Sequence, residues 1–100
     1  MDDGKDFNHI KEWLNGKLAE RGLSVNKFVL KTGNQINTAS IFRWYSDRFR
    51  PTPEKMMLVC DNLSAMPIVN EKGEPLRYEE VPLREGLAQF RHRPWRERSR

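Results

Sequence analysis

One hundred residues are enough for one domain with a single hydrophobic core and too few for two. Hydrophobic residues make up 37% of the chain and charged residues 32%, and no apolar stretch approaches the ~20 residues that a membrane-spanning helix needs. The first residues, "MDDGKDF", are acidic and lack the basic-then-apolar order of a secretory signal. We therefore expect a soluble, cytoplasmic protein that makes no contact with a membrane.

The positive charge is unevenly distributed along the chain. Residues 91–100 hold five arginines and one glutamate, which accounts for the whole net charge of +4, so residues 1–90 are neutral. Any basic surface on the body of the protein must therefore come from clustering. The candidates for such a cluster are Lys27, Lys31, Arg43, Arg48 and Arg50.

Cysteine and histidine offer little chemistry. The single cysteine, Cys60, excludes an internal disulfide, and its apolar neighbours in "MMLVCDNL" predict a small core residue. His9 and His92 lie far apart in the sequence and belong to no cluster of ligating residues. We expect neither a metal site nor a cofactor.

The first half of the chain predicts two helices. Phe7, Ile10, Trp13, Leu14 and Leu18 follow the spacing of an amphipathic helix over residues 7–21, and Gly22 is suited to end it. Ser24 stands where an N-cap is needed for a second, short helix that has apolar residues at positions 28 and 29 and that ends near Gly33.

A third helix is predicted to begin near Thr38. Asn37 is the N-cap candidate, and Ile36 before it can pack against Ile41 as a hydrophobic staple. Ile41 and Trp44 should face inward, whereas Phe42 is assigned to neither face. The helix should expose Thr38, Ala39, Ser40 and Arg43.

Two prolines, at positions 51 and 53, separate this helix from a fourth one. Thr52 or Pro53 should open it, because proline is favoured in the first helical turn. The apolar residues that repeat at helical spacing in it are Met56, Val59, Cys60 and Leu63. The predicted fold is mainly α, a compact bundle of four to five short helices.

The last third of the chain leaves alternatives open. The Lys72-Gly73 turn predicts either a small hairpin pairing residues 68–70 with 76–78 or an extended arm. Pro82 can open a further short helix, interrupted by Gly86, whose apolar stripe would pack on the core or on a second subunit. The stripe consists of Leu83, Leu87 and Phe90. We expect a body of residues 1–66, an extension of residues 67–90 and a disordered basic tail of residues 91–100.

Residues 10–66 resemble a known family, the Cro and phage-repressor type of helix-turn-helix protein, often called the XRE family. In "LAERGLSVNKFVLKTG" the residues Leu23, Ser24, Phe28 and Gly33 match the leucine, cap, apolar and turn-glycine positions of the family. In "SIFRW…RFRP…MMLVCDNL" the family spacing is kept by Ile41, Trp44, Pro51, Met56, Val59, Cys60 and Leu63. The interval from Gly33 to Ile41 is two residues longer than is usual in the family, which predicts a longer turn around Asn34 and Gln35.

The resemblance implies sequence-specific binding to double-stranded DNA by a homodimer, with the third helix in the major groove. Residues that would contact bases are Thr38, Ala39 and Arg43. Residues that would contact the DNA backbone are Ser24, Val25, Asn26, Lys27, Asn37, Ser40, Arg48 and Arg50. The expected function is transcription regulation of the bacterial or phage type.

Other functions remain open at this point. One alternative is an antitoxin-like autoregulator whose C-terminal segment binds a protein partner, and another is an interaction module that does not bind DNA. We do not expect an enzyme, because Glu79, Glu80 and Glu85 have no nucleophile, histidine or glycine loop near them in the sequence.

Overall fold

A computed structural model describes residues 7–46 and 49–91 of the chain. Its helices are α1 (Ile10–Glu20), α2 (Val25–Lys31), α3 (Thr38–Tyr45), α4 (Pro53–Ala65) and α5 (Leu83–Leu87). Between α4 and α5, β2 (Ile68–Val69) and β3 (Pro75–Arg77) form an antiparallel hairpin, and β1 (Phe7–Asn8) pairs with β4 (Phe90–Arg91). The predicted class, a mainly α bundle with a small C-terminal hairpin, is confirmed.

Three helices begin at polar caps, of which Ser24 and Asn37 are predicted as caps from the sequence and Thr52 is one of the two residues predicted to open α4. The side-chain oxygens of Ser24, Asn37 and Thr52 each accept a hydrogen bond from the backbone amide three residues later, at 3.1, 2.7 and 3.1 Å. Each bond satisfies an amide that has no partner within its own helix. The starts of α2, α3 and α4 are therefore fixed by local chemistry.

Glycines end the first two helices. Gly22 and Gly33 have φ values of 69° and 70°, and the residue after each glycine donates back to the carbonyl five residues earlier, at 2.9 and 3.2 Å. This is the Schellman arrangement, in which a left-handed residue satisfies the last carbonyls of a helix. Asn34 is also left-handed, with φ of 64°. The two consecutive left-handed residues lengthen the turn before α3.

The first helix begins later than its apolar spacing predicts. Phe7 and Asn8 are extended and pair with Arg91 and Phe90 in β4, and α1 begins only at Ile10. The assignment of Phe7 to the helix is wrong, because pairing with a strand from the other end of the chain takes its place. The two ends of the described chain therefore lie side by side.

The core is built from all four main helices. It comprises Ile10, Leu14, Leu18, Phe28, Val29, Ile36, Ile41, Trp44, Met56, Val59, Cys60, Leu63 and Val81. The inward assignments of Ile41 and Trp44 and of the apolar face of α4 agree with this packing. Across the two described stretches, no helix has both the length and the apolar character needed to cross a membrane.

The C-terminal extension packs on the same core. Val81 is buried, and its amide donates to Ser64 Oγ at 2.8 Å. α5 lies so close to α4 that a Cβ atom at Gly86 would lie 2.5 Å from the Sδ atom of Met56. Leu83 packs against the core, whereas Leu87, predicted on the same apolar stripe, is exposed. The side chain of Phe90, and the tail from residue 92 onward, fall outside what the structure describes.

A group of charged residues also holds the extension against α1. Lys17 Nζ lies 2.9 Å from a carboxylate oxygen of Glu79 and 3.1 Å from one of Glu85, and Glu85 also accepts a hydrogen bond from Trp13 Nε1. Burial alone would lower the pKa of Lys17, but the two carboxylates raise it overall. The hydrogen bond from Lys17 is the main cause that lowers the pKa of Glu79.

Candidate nucleic-acid interface

The helix α3 has two distinct faces. Ile41 and Trp44 are buried in the core, whereas Ala39, Phe42 and Arg43 are exposed. The exposed three stand at positions i, i+3 and i+4, so they share one side of the helix. Anchored by its inner face, α3 presents this side to solvent along its whole length.

The start of α3 lies against the start of α2. Thr38, the first residue of α3, donates from Oγ1 to Asn26 Oδ1 at 3.4 Å, and Asn26 is the second residue of α2. Lys55, in the first turn of α4, donates from Nζ to the carbonyl of Gln35 in the turn before α3, at 3.2 Å. The beginnings of three helices and the polar turn thus form one continuous surface.

The predicted backbone-contact residues of α2 and its cap differ in availability. Lys27 and Asn26 are exposed, and Ser24 is exposed although its oxygen serves as the N-cap. Val25 is half-buried and packs against the core, so only its backbone could face a ligand. Of this group, Asn26 and Lys27 offer the most accessible side chains.

The residues around the start of α3 show a similar division. Asn37 is exposed, and its Oδ1 atom caps the helix, which leaves its amide nitrogen as a donor. Thr38 and Ser40 are half-buried, whereas Ala39 and Arg43 are exposed. All three predicted base-contact residues therefore lie on the first turn and a half of one helix.

The two arginines predicted after α3 have different outcomes. Arg48 lies outside the described residues. Arg50 is half-buried beside the buried Pro51, so it is less accessible than a residue on an open loop. Among the described arginines of this region, Arg43 is the exposed one.

One aromatic ring that the sequence did not assign to the site lies against Arg43, and α3 itself carries two more, Phe42 and Tyr45. The Arg43 guanidinium carbon lies 5.7 Å from the centre of the Phe49 ring, a cation–π distance. Phe42 meets the edge of Tyr45, with ring centres 5.7 Å apart, and the Tyr45 hydroxyl donates to Asn15 of α1 at 3.0 Å. Burial raises the pKa of Tyr45 to about 12. The helical spacing along α3 is enough to predict that Phe42 lies next to Arg43. Whether Phe42 is exposed depends on the elements that pack around α3.

The charge of this region differs from that of the rest of the body. Residues 24–53 contain five lysines and arginines and a single acidic residue, an excess of four positive charges. Because residues 1–90 are neutral as a whole, the rest of them carry an excess of four negative charges. Two of these acidic residues, Glu79 and Glu85, contact Lys17 of α1. The segment that forms α2, the turn and α3 is thus the basic part of a neutral body.

Other reactive groups are few. The described residues contain no group of three or more histidine, cysteine or carboxylate side chains that could hold a metal ion. Cys60 is buried, and burial raises its pKa to about 11. Comparison of the chain with models of protein families, with curated proteins and with solved structures found no match.

Proposed function

We propose that the protein is a sequence-specific regulator of transcription, of the Cro and phage-repressor helix-turn-helix type, that binds double-stranded DNA as a homodimer in the cytoplasm. The observation that carries the proposal is the exposed face of α3. Ala39 and Arg43 project from it, while Ile41 and Trp44 fix the helix to the core. A helix held in this way can enter a groove without losing its own packing.

The dimensions of α3 suit the major groove. An α-helix with its side chains is about 10 to 12 Å in diameter, and the groove is about 12 Å wide. Arg43 can donate two hydrogen bonds to the O6 and N7 atoms of guanine, Thr38 can pair with several base edges, and Ala39 can contact a thymine methyl group. These contacts would supply the sequence preference.

Contacts to phosphate would set the position of α3 on the duplex. Lys27 and Asn37 are the neighbours in sequence of the contacting residues Asn26 and Thr38, and they carry exposed donors that suit phosphate oxygens. In this arrangement α2 crosses the DNA backbone while α3 enters the groove. The low number of acidic residues in residues 24–53 favours this surface over other parts of the body for binding a polyanion.

A second candidate function rests on the hairpin. Leu76 and Tyr78 are 58% and 66% exposed, on or next to β3. Exposed apolar residues on a strand can bind a protein partner. The corresponding proposal is an antitoxin-like autoregulator, or an interaction module that does not bind DNA, whose C-terminal segment docks on another protein.

Selection from a pool of random duplexes tests the principal proposal. We expect the full-length chain to enrich one motif with two related half-sites about one helical turn apart, and sedimentation to give two chains per selected duplex. Enrichment of no motif would contradict DNA recognition and leave the interaction module as the better explanation. One chain per duplex would contradict the dimer alone.

Two substitutions then separate base contacts from phosphate contacts. Arg43→Ala should weaken binding to the selected duplex by about 1 to 3 kcal/mol and leave binding to unrelated duplex nearly unchanged. Lys27→Ala should weaken both and lower the salt slope by about one unit. Arg84→Ala, on the exposed side of α5, is the control. An equal loss on both duplexes for Arg43→Ala would refute the assigned base contact.

A further inference from the structure

Phe42 is a large apolar side chain that leaves half of its surface in water. It is 50% exposed in the middle of α3, although the neighbouring Ile41 is fully buried. Exposure of this kind forgoes the stabilisation that burial of an aromatic ring provides. The exposed half of the ring is therefore available for contact with a ligand.

The surroundings of the ring hold it in place. Phe42 meets Tyr45 edge to face, at 85° between the ring planes, and the Tyr45 hydroxyl is fixed by its hydrogen bond to Asn15. The ring thus has a defined contact on one side and solvent on the other. Because an ordered side chain loses less conformational entropy on binding, this arrangement favours recognition of a ligand.

Phe42 also shares the exposed side of α3 with Ala39 and Arg43, two of the three residues that the proposed function assigns to bases. Ala39 precedes it by three residues, and Arg43 follows Ala39 by four. Side chains at such spacings are about 5 to 6 Å apart at Cβ, and successive base pairs are separated by 3.4 Å. A helix that brings Arg43 to a guanine therefore brings Phe42 to a base within about two pairs of it.

We infer that Phe42 is a specificity-determining residue that contacts the C5-methyl group of a thymine within about two base pairs of the guanine bound by Arg43; the inference rests on the proposed function. Among the four bases, only thymine presents a methyl group in the major groove. A phenyl ring cannot hydrogen-bond to the amino and carbonyl groups of the other bases, and it would strip water from them without compensation. The ring thus favours thymine and disfavours cytosine at that pair.

Removing single methyl groups from the DNA tests this contact. In the duplex selected by the wild-type chain, each thymine is changed in turn to uracil, which removes only the methyl group. We expect a loss of about four-fold in affinity at one position within about two base pairs of the guanine, which corresponds to one buried methyl group. A cytosine placed there should bind better when it carries a 5-methyl group.

The protein variants assign the methyl contact to Phe42. Phe42→Ala should bind the thymine and uracil duplexes equally at that position, while retaining the guanine preference. Met57→Ala, which truncates an exposed apolar residue on α4, should keep the four-fold difference. The same measurements distinguish Phe42 from Ala39 as the residue that contacts the methyl group. If Ala39 made that contact, the difference in affinity between the thymine and uracil duplexes would persist in Phe42→Ala.

A second variant guards against misfolding of the first. Phe42→Gln places an amide that can pair with the N6 and N7 atoms of adenine, so selection with this variant should change thymine to adenine at the same position. If the wild-type chain shows no uracil penalty at any thymine, if Phe42→Ala keeps the penalty, or if Phe42→Gln selects the original base, the inference is overturned although DNA recognition stands. If the wild-type chain enriches no motif, the proposed function fails and the inference with it.

Discussion

Arg21 joins three parts of the molecule, and its removal tests how the C-terminal extension is held. Its side chain is completely buried. Nε donates to the carbonyl of Leu63 at the end of α4 at 2.9 Å, Nη1 donates to the carbonyl of Lys17 at 3.0 Å, and Nη2 donates to Glu79 at 3.1 Å. The guanidinium thus satisfies two helix carbonyls and one carboxylate at once.

The expected cost of removing the guanidinium follows from these contacts. The buried hydrogen bond from the charged Nε to Leu63 contributes about 1.5 to 3 kcal/mol, and the part-buried one from Nη1 to Lys17 less, about 0.5 to 1.5 kcal/mol. The pair with Glu79 adds about 0 to 1 kcal/mol, since the carboxylate side chain is 34% exposed. Arg21→Met keeps the apolar part of the side chain, so we expect it to lower the free energy of unfolding by about 2 to 5 kcal/mol.

Urea unfolding at neutral pH, followed by circular dichroism, measures this loss. The midpoint should fall while the dependence on urea concentration stays the same. Arg84→Met, on the exposed side of α5, is the matched control and should change stability by less than about 0.5 kcal/mol. A loss below about 1 kcal/mol for Arg21→Met would refute the reasoning, because it would mean that the Leu63 carbonyl, which also accepts a hydrogen bond from the Met66 amide at 3.2 Å, gains nothing from a second, charged donor.

Two further predictions concern the same region. Gly86→Ala should destabilise the protein by about 1 to 3 kcal/mol in the same assay, because the new Cβ atom would lie 2.5 Å from Met56 Sδ. The control is Gly16→Ala in α1, where nothing lies within 4 Å of the new Cβ atom, and it should stabilise the protein by about 0.5 to 1 kcal/mol. Equal effects of the two substitutions would contradict the close packing of α5. The folded-state pKa of Glu79 is lowered by Lys17, so its contribution to stability is present above the ordinary value of 4.5 and is lost as the pH falls through the folded value. In Glu79→Gln the free energy of unfolding should therefore fall less steeply with decreasing pH below pH 4.5 than in the wild-type chain. The same pH dependence in both proteins would contradict the ion pair.

The proposed interface combines features of two kinds. The position of α3 depends on its buried residues Ile41 and Trp44, so substitutions there would alter stability and binding together. Arg43 and Phe42 are exposed, and their substitution should alter binding with little effect on stability. This difference allows recognition to be measured separately from folding.

The sequence alone was sufficient for the helix boundaries that depend on neighbouring residues. Ser24, Asn37 and Thr52 were predictable caps because each bond joins a side chain to an amide three residues away. Gly22 and Gly33 were predictable helix ends for a similar reason, since glycine adopts the left-handed conformation without steric cost. The inward faces of α3 and α4 followed from apolar spacing.

The sequence also contained the candidate base contacts, although it did not settle their surroundings. Thr38, Ala39 and Arg43 follow directly from the start of α3 at Asn37. Phe42 could be assigned to neither face, because it follows the buried Ile41 by one residue and a rotation of about 100° leaves it at the boundary. That it is 50% exposed follows from how the rest of the chain packs against α3, which the local sequence does not specify.

Features that join distant segments were decided only by the tertiary structure. Apolar spacing favoured a helix at Phe7, yet this residue pairs with a strand more than eighty residues later. Arg21 reads as an ordinary polar residue at the end of α1, but folding brings the carbonyl of Leu63 and the carboxylate of Glu79 to it. Local hydrogen bonds and periodicity determine where helices begin and which face is apolar. Contacts between distant parts of the chain depend on how the helices pack, and local sequence patterns do not predict that packing.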